Sequence, residues 1–138
     1  MSQNNNQQPE LKQIIDCRFC YDNIRDRIIA EKASVVAIKD NFPVSEGHML
    51  IISKNHNSNY FEMTGEEKID ADRLLSELRQ EILAADPSVT GFNIGMNCGE
   101  SAGQTIFHTH IHLIPRRDGD TQKPRGGVRG VIPEKMSY

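Results

Sequence analysis

Three of the five histidines in this 138-residue chain occupy alternate positions of one short run: His108, His110 and His112. Imidazole has an unperturbed pKa of about 6.5, so near neutral pH it can serve as base, nucleophile or metal ligand. In a strand, successive side chains point to opposite faces, which would set the three rings on one face roughly 7 Å apart. Phe107, Thr109, Ile111 and Leu113 are then expected to turn into a core. Two chemistries suit such a face. Alternating imidazoles can converge on a metal ion, or one can attack as a nucleophile while its neighbours bind phosphate and move protons. The spacing leaves both open.

Two further stretches carry chemistry. Cys17-Arg-Phe-Cys20 can be a redox pair, half a zinc site or simply buried thiols. The redox reading is weak, since no strand precedes the pair and no long helix clearly follows. Half a zinc site needs two more ligands from elsewhere in the chain. Cys98-Gly-Glu-Ser-Ala-Gly-Gln-Thr105 is a small-residue loop leading into the histidine run. Backbone N–H groups of such loops can point at an anion, and its position makes phosphate the expected anion.

The elements that must position these groups are legible as patterns. Leu11 to Asp16 reads as a short helical lead-in. Arg27 to Glu31 and Val35 to Lys39 are β-branched stretches that suggest paired strands. Asp40 to Gly47 is turn chemistry. His48-Met-Leu-Ile-Ile-Ser53 is nearly continuous in apolar residues, as in a strand covered on both faces. Thr64-Gly-Glu-Glu67 is a capping box, followed by Ala71, Leu75, Leu78 and Ile82 at helical spacing, with Pro87 as the stop. In Gly91 to Asn97, Phe92, Ile94 and Met96 alternate with Asn93, Gly95 and Asn97, so the former are expected to face a core.

Composition sets the class. A hydrophobic fraction of 37% and a charged fraction of 25% suit one globular domain with a real core. Residues 1–13 read as a disordered leader, 14–120 as the domain and 121–138 as an irregular basic tail. A net charge of −3 argues against a general nucleic-acid binder. From Arg116 onward, however, six Lys/Arg stand against three Asp/Glu, a balance that suits a neighbouring phosphate and equally a solvated surface. No apolar run approaches membrane-helix length and no signal pattern opens the chain, so a cytoplasmic protein without a membrane partner is expected. Three cysteines do not make a secreted disulfide framework.

With these residues in view, the chain resembles the histidine triad (HIT) family. His108-Thr-His-Ile-His-Leu-Ile matches H-φ-H-φ-H-φ-φ, with Thr109 a departure from an apolar residue. Cys17-Arg-Phe-Cys20, Asp40, Gly47-His48, Ser53-Lys-Asn-His56, Asn97 and Ala102-Gly-Gln-Thr105 match family landmarks in order. The resemblance implies an α+β fold: a five-stranded antiparallel sheet, one long helix packed on it, a short N-terminal helix and an irregular tail. Homodimers with joined sheets are usual in the family.

The resemblance also implies the chemistry. His110 would attack the α-phosphorus of a nucleoside phosphate, forming a covalent nucleotidyl-histidine that water or another acceptor then resolves. His112 would contact the phosphate and aid proton transfer, His108 would brace the triad and His48 would complete the cluster. Asp40 would accept ribose hydroxyls, while Asn97, Gln104 and Thr105 would donate to phosphate or leaving-group oxygens. Similarity to zinc-holding members implies a structural zinc on Cys17, Cys20, His56 and His108, and no organic cofactor. Ala102 to Thr105 resembles the dinucleoside-polyphosphate hydrolases, and the basic tail would favour long polyphosphate leaving groups. Asn97 looks more like the adenosine phosphoramidate branch. A phosphorylase, a metal-dependent hydrolase and a nucleotide-binding interaction protein are the other readings.

Overall fold

β-Branched and aliphatic runs become strands close to where their patterns predict them. The computed structural model describes residues 10–138. The strands are β1 (Ala30–Glu31), β2 (Val35–Lys39), β3 (Met49–Ser53), β4 (Val89–Gly95) and β5 (His110–Arg117). They form one sheet in the order β1-β2-β3-β5-β4, antiparallel throughout. Two α-helices accompany them, α1 (Tyr21–Ile24) and α2 (Gly65–Ala85). The leader reading for residues 1–9 lies outside the described residues. Lys12 is already tied down, its N–H donating to Asn55 Oδ1 and its carbonyl accepting from His56 N–H.

The long helix begins where its capping box says it should. Thr64 Oγ1 accepts from Glu67 N–H at 3.1 Å, and Glu67 Oε1 accepts from Thr64 N–H at 2.8 Å. A cap of this kind contributes about 0.5–2 kcal/mol. Leu74 and Leu78 of α2 are buried against Val35, Ala37, Ile51 and Leu113 on one face of the sheet. Full burial of each such leucine is worth about 1.5–3 kcal/mol. The opposite face buries Val36, Ile38, Leu50 and Ile52 under Phe19 and Ile24 of the N-terminal segment. β2 and β3 are thus covered on both sides, the physical reason for their unbroken apolar sequences.

Cross-strand register decides which face carries the histidines. His110 lies opposite Ile52 and His112 opposite Leu50, so the pair sits on the face covered by the N-terminal segment, away from α2. Leu113 is buried and Ile111 packs against the α2-side core, as the alternation requires.

Several expectations are corrected. Leu11 to Asp16 forms no helix; its backbone instead bonds to the loop after β3, and Asn23 Nδ2 ties down the carbonyls of Ile15 and Cys17. The first strand is only Ala30–Glu31, because Arg25–Arg27 is a 3₁₀ turn. Phe107 is 49% exposed rather than in the core, since regular pairing of β5 begins only at His110. Ile94 is 52% exposed, because β4 is an edge strand of the sheet.

Candidate active site and metal centre

Two clusters of ligand-type side chains flank the start of β5, and the hydrogen-bond partner of each ring nitrogen tells them apart. The first comprises Cys17, Cys20, His56 and His108, whose ligand atoms all lie within 4.8 Å of one another. His108 Nδ1 is 3.3 Å from Cys17 Sγ, 3.6 Å from Cys20 Sγ and 3.2 Å from His56 Nδ1, and Cys20 Sγ is 3.5 Å from His56 Nδ1. A tetrahedron built on Zn–N and Zn–S bond lengths has edges of roughly 3.3–3.8 Å. The far nitrogen of His108 decides the matter. Its Nε2 is 2.7 Å from the Ser53 carbonyl oxygen, so Nε2 carries the proton and Nδ1 presents a lone pair. Metal-bound histidines are oriented in this way. Burial pushes the Cys20 thiol up to about 11 and holds His108 down to about 4. A bound metal ion would displace the thiol protons.

The second cluster, Asp40, His48 and His112, has similar spacing but the opposite polarity. His48 Nδ1 accepts the Val44 backbone N–H at 3.1 Å, so in the neutral ring Nε2 holds the hydrogen and has none of the lone pair a metal needs. That Nε2–H reaches His112 Nδ1 at 2.9 Å, with Asp40 Oδ2 at 3.3 Å. His112 Nδ1 is thereby an acceptor, and its Nε2–H is set to donate. Burial lowers the pKa of both His48 and His112, with Asp40 opposing in each case, so both rings stay neutral near neutral pH. This cluster is a hydrogen-bond relay ending in an N–H donor.

His110 stands between the two. Its Nδ1–H donates to the His108 carbonyl at 2.7 Å, which leaves Nε2 as the atom with a free lone pair. Phe19, in the cysteine turn, meets the ring edge-on with centroids 5.0 Å apart. A cavity of about 340 Å³ lies over this face. His48, His110 and His112 line it together with Asp40, Asn97, Thr105, Arg18, Arg27 and Phe42. Asp40 is held by its Oδ1, which accepts the Phe42 N–H at 2.8 Å. A second cavity of about 820 Å³ adjoins it and shares His48, His112, Asn97 and Val44.

Gln104 departs from its expected role as a donor to substrate oxygens. It is buried and lines neither cavity. Its Oε1 accepts the Gly99 N–H, and its Nε2 donates to the carbonyls of Ser58 and Ile106. Both amide hydrogens are spent in closing the loop that carries Thr105, so Gln104 shapes that loop from within. Arg116 pairs with Asp120 and Asn93, Arg117 with Asp86, and Arg125 and Arg129 lie over the Tyr138 ring.

Sequence reasoning missed several residues. Ser53 and Val44 act through backbone groups, which no side-chain pattern reveals. Arg18 and Phe19 sit between the two cysteines and could have been asked which way that turn points. Asn57 is the largest omission. Its carbonyl accepts the Thr109 N–H at 2.8 Å, its Oδ1 accepts the Thr109 hydroxyl, and its Nδ2 donates to both Glu67 carboxylate oxygens. Thr109, fully buried, stands where the family pattern has an apolar residue because it ties the histidine strand to the α2 cap. Cys98 is free and lines neither cavity.

Comparison with known proteins places this geometry. A family model described as "HIT domain" matches residues 22–119. A histidine triad nucleotide-binding protein from Sulfolobus tokodaii, described as hypothetical, is 31% identical, with 87% of this chain and 91% of that one covered at a TM-score of 0.67. A zinc-bound histidine triad family protein from Mycobacterium smegmatis is 30% identical, covering 78% and 80% at a TM-score of 0.69. A HIT family hydrolase from Clostridium thermocellum is 32% identical, covering 80% and 98% at 0.57. With its alternate histidines on β5, its five-stranded antiparallel sheet and a family match over most of its length, the chain belongs to the histidine triad family.

Proposed function

We propose that this protein is a nucleotide hydrolase or transferase that cleaves at the α-phosphorus of a nucleoside 5′-phosphate derivative through a covalent nucleotidyl-His110. The observation that carries the reading is the His110 tautomer: Nδ1–H is committed to the His108 carbonyl, so in the neutral ring Nε2 carries the free lone pair that can attack phosphorus. In the first half-reaction Nε2 bonds to phosphorus and the bond to the leaving atom breaks. The relay-fixed Nε2–H of His112 donates to the phosphoryl or leaving-group oxygen, where negative charge grows. The leaving atom takes a proton from water. In the second half-reaction water adds to phosphorus, the N–P electron pair returns to Nε2, and a proton goes back to solvent. Asp40 holds the ribose hydroxyls, and Asn97 and Thr105 bind phosphoryl oxygens. Cys17, Cys20, His56 and His108 would hold a structural zinc, which supplies rigidity because a closed four-ligand site leaves no open position for substrate.

The loop Ala102 to Thr105 favours dinucleoside polyphosphates as substrates. A phosphoramidate of a nucleoside monophosphate is the second reading, supported by the resemblance of Asn97 to that branch and by the pairing of Arg116 and Arg117 with Asp120 and Asp86. A homodimer is supported by the exposed edge of β4 carrying Ile94. The test is intact-mass spectrometry after brief mixing with diadenosine polyphosphates and an alkylamine phosphoramidate of AMP. An adduct of one nucleotidyl group is expected, persisting in chelator and absent in His110→Ala. Turnover that stops in chelator, with no adduct at any time, would overturn the mechanism in favour of a metal-dependent hydrolase.

A further inference from the structure

Phosphate and ribose have partners in the site described above; the base has none. The strand order places it. His110 and His112 stand on β5, β3 is the next strand and β2 the one beyond, with Asp40 directly after the end of β2. A nucleotide bonded through phosphorus to His110 and held at its ribose by Asp40 therefore runs across the sheet from β5 toward β2, two strand spacings or roughly 10 Å away. Its base comes to lie at the end of β2.

An arginine is fixed at that end. Arg27, half-buried in the 3₁₀ turn before β1, donates from Nη2 to the carbonyl of Lys39, the last residue of β2, at 3.0 Å. Its side chain lines the same cavity as His110 and Asp40. Among the described residues this is the one hydrogen bond of its guanidinium, so Nε–H and Nη1–H are free to meet a ligand. Arg18, exposed, lines the cavity too and makes no ion pair among the described residues.

The rest of the lining tells faces from edge. Phe19 and Leu50, both buried, and the exposed Phe42 supply apolar surface for the faces of a base. Its edge is left to the two guanidiniums and the Asn41 carboxamide. A carboxamide both donates and accepts and suits either purine, whereas a guanidinium only donates. Guanine offers two adjacent acceptors, O6 and N7; adenine sets its N6 amino donor beside N7, so a guanidinium there meets a donor.

We infer that Arg27, held in place by the Lys39 carbonyl, and Arg18 read the O6/N7 edge of guanine, so that the site prefers guanosine 5′-phosphate derivatives to those of adenosine. The inference names the substrate class of the proposed function and rests on it. Recognition of the base is non-covalent, and the step at phosphorus is the same for both purines.

The test is titration calorimetry of the full chain with GMP, IMP, 7-deaza-GMP and AMP. IMP keeps O6 and N7 without the 2-amino group, and 7-deaza-GMP replaces N7 by carbon. GMP and IMP are expected to bind about tenfold or more tighter than AMP, the scale of one bidentate pair, with 7-deaza-GMP in between. In Arg27→Met the ratio of GMP to AMP affinity should fall toward one, and in Arg27→Lys as well, since an ammonium keeps the charge and loses the fork. Arg18 is exposed, so Arg18→Met stays clear of the core, and it should lower the ratio severalfold. A wild-type ratio near one, 7-deaza-GMP binding as tightly as GMP, or a ratio indifferent to both arginines would each overturn the inference. Equal losses for GMP and AMP in the variants would also overturn it, assigning the arginines to phosphate charge. The proposed function fails separately: no nucleotidyl adduct with the methylamine phosphoramidates of GMP and AMP, while GMP still binds selectively, sinks the covalent mechanism and leaves base selection standing.

Discussion

His110 and His112 differ by two residues and share a face, yet opposite hydrogen-bond partners give them different jobs. The His108 carbonyl puts the proton of His110 on Nδ1, while the Val44–His48 relay puts that of His112 on Nε2. The pH dependence follows from burial. His48 and His112 have lowered pKa values, with Asp40 partly restoring them. The relay is therefore intact above the usual histidine range and lost only as pH falls below about 6.5. Asp40→Asn removes the group that raises both values, so the acid limb set by this pair should move to lower pH. A pH–kcat profile of the two proteins checks this; a limb that moves to higher pH contradicts the relay. Stability has the same sign. The unfolded chain takes up protons at these two residues below about 6.5 while the folded chain resists, so their contribution to stability is full above that pH and declines below it.

Elements rather than single side chains hold His110 still. Thr109 lies between His108 and His110, and its N–H and hydroxyl both end on Asn57, which in turn donates to Glu67 in the first turn of α2. Breaking a buried network of this kind leaves unpaired groups at a cost of about 1–3 kcal/mol each. Asn57→Leu should therefore lower thermal stability on that scale and reduce kcat more than it raises KM, because Asn57 touches neither cavity. Thr109→Val should behave alike, and a double-mutant cycle should show a coupling of about 0.5–3 kcal/mol. Additive effects, or a loss confined to KM, would show that the network does not position the histidines.

At the scale of the whole molecule, the metal cluster joins distant parts of the chain. Cys17 and Cys20 come from the N-terminal segment, His56 from the loop after β3 and His108 from the entry to β5. The same turn presents Phe19 to His110 and Arg18 to the smaller cavity. If zinc occupies this cluster, chelation should lower the melting temperature, and excess zinc should restore it. Zinc at 100 times its dissociation constant contributes about 2.7 kcal/mol. Cys20→Ser should abolish the zinc-dependent gain. An unchanged melting temperature after verified metal removal would contradict a structural role.

By itself the amino-acid sequence determined the alternation of the histidines, the capping box of α2 and the doubly covered β3. Each is a local period or a residue type with few uses, and local geometry converts it directly into structure. Only the tertiary structure decided how the ring nitrogens are protonated, because that depends on carbonyls and N–H groups contributed by residues far away in sequence. It also decided that Gln104 is spent inside its loop, that Thr109 serves a network, that Arg116 and Arg117 are paired with Asp120 and Asp86, and that Val128 and Val131 line a cavity. Charge can be counted along a chain; whether a charge is already satisfied depends on which carboxylate folds beside it.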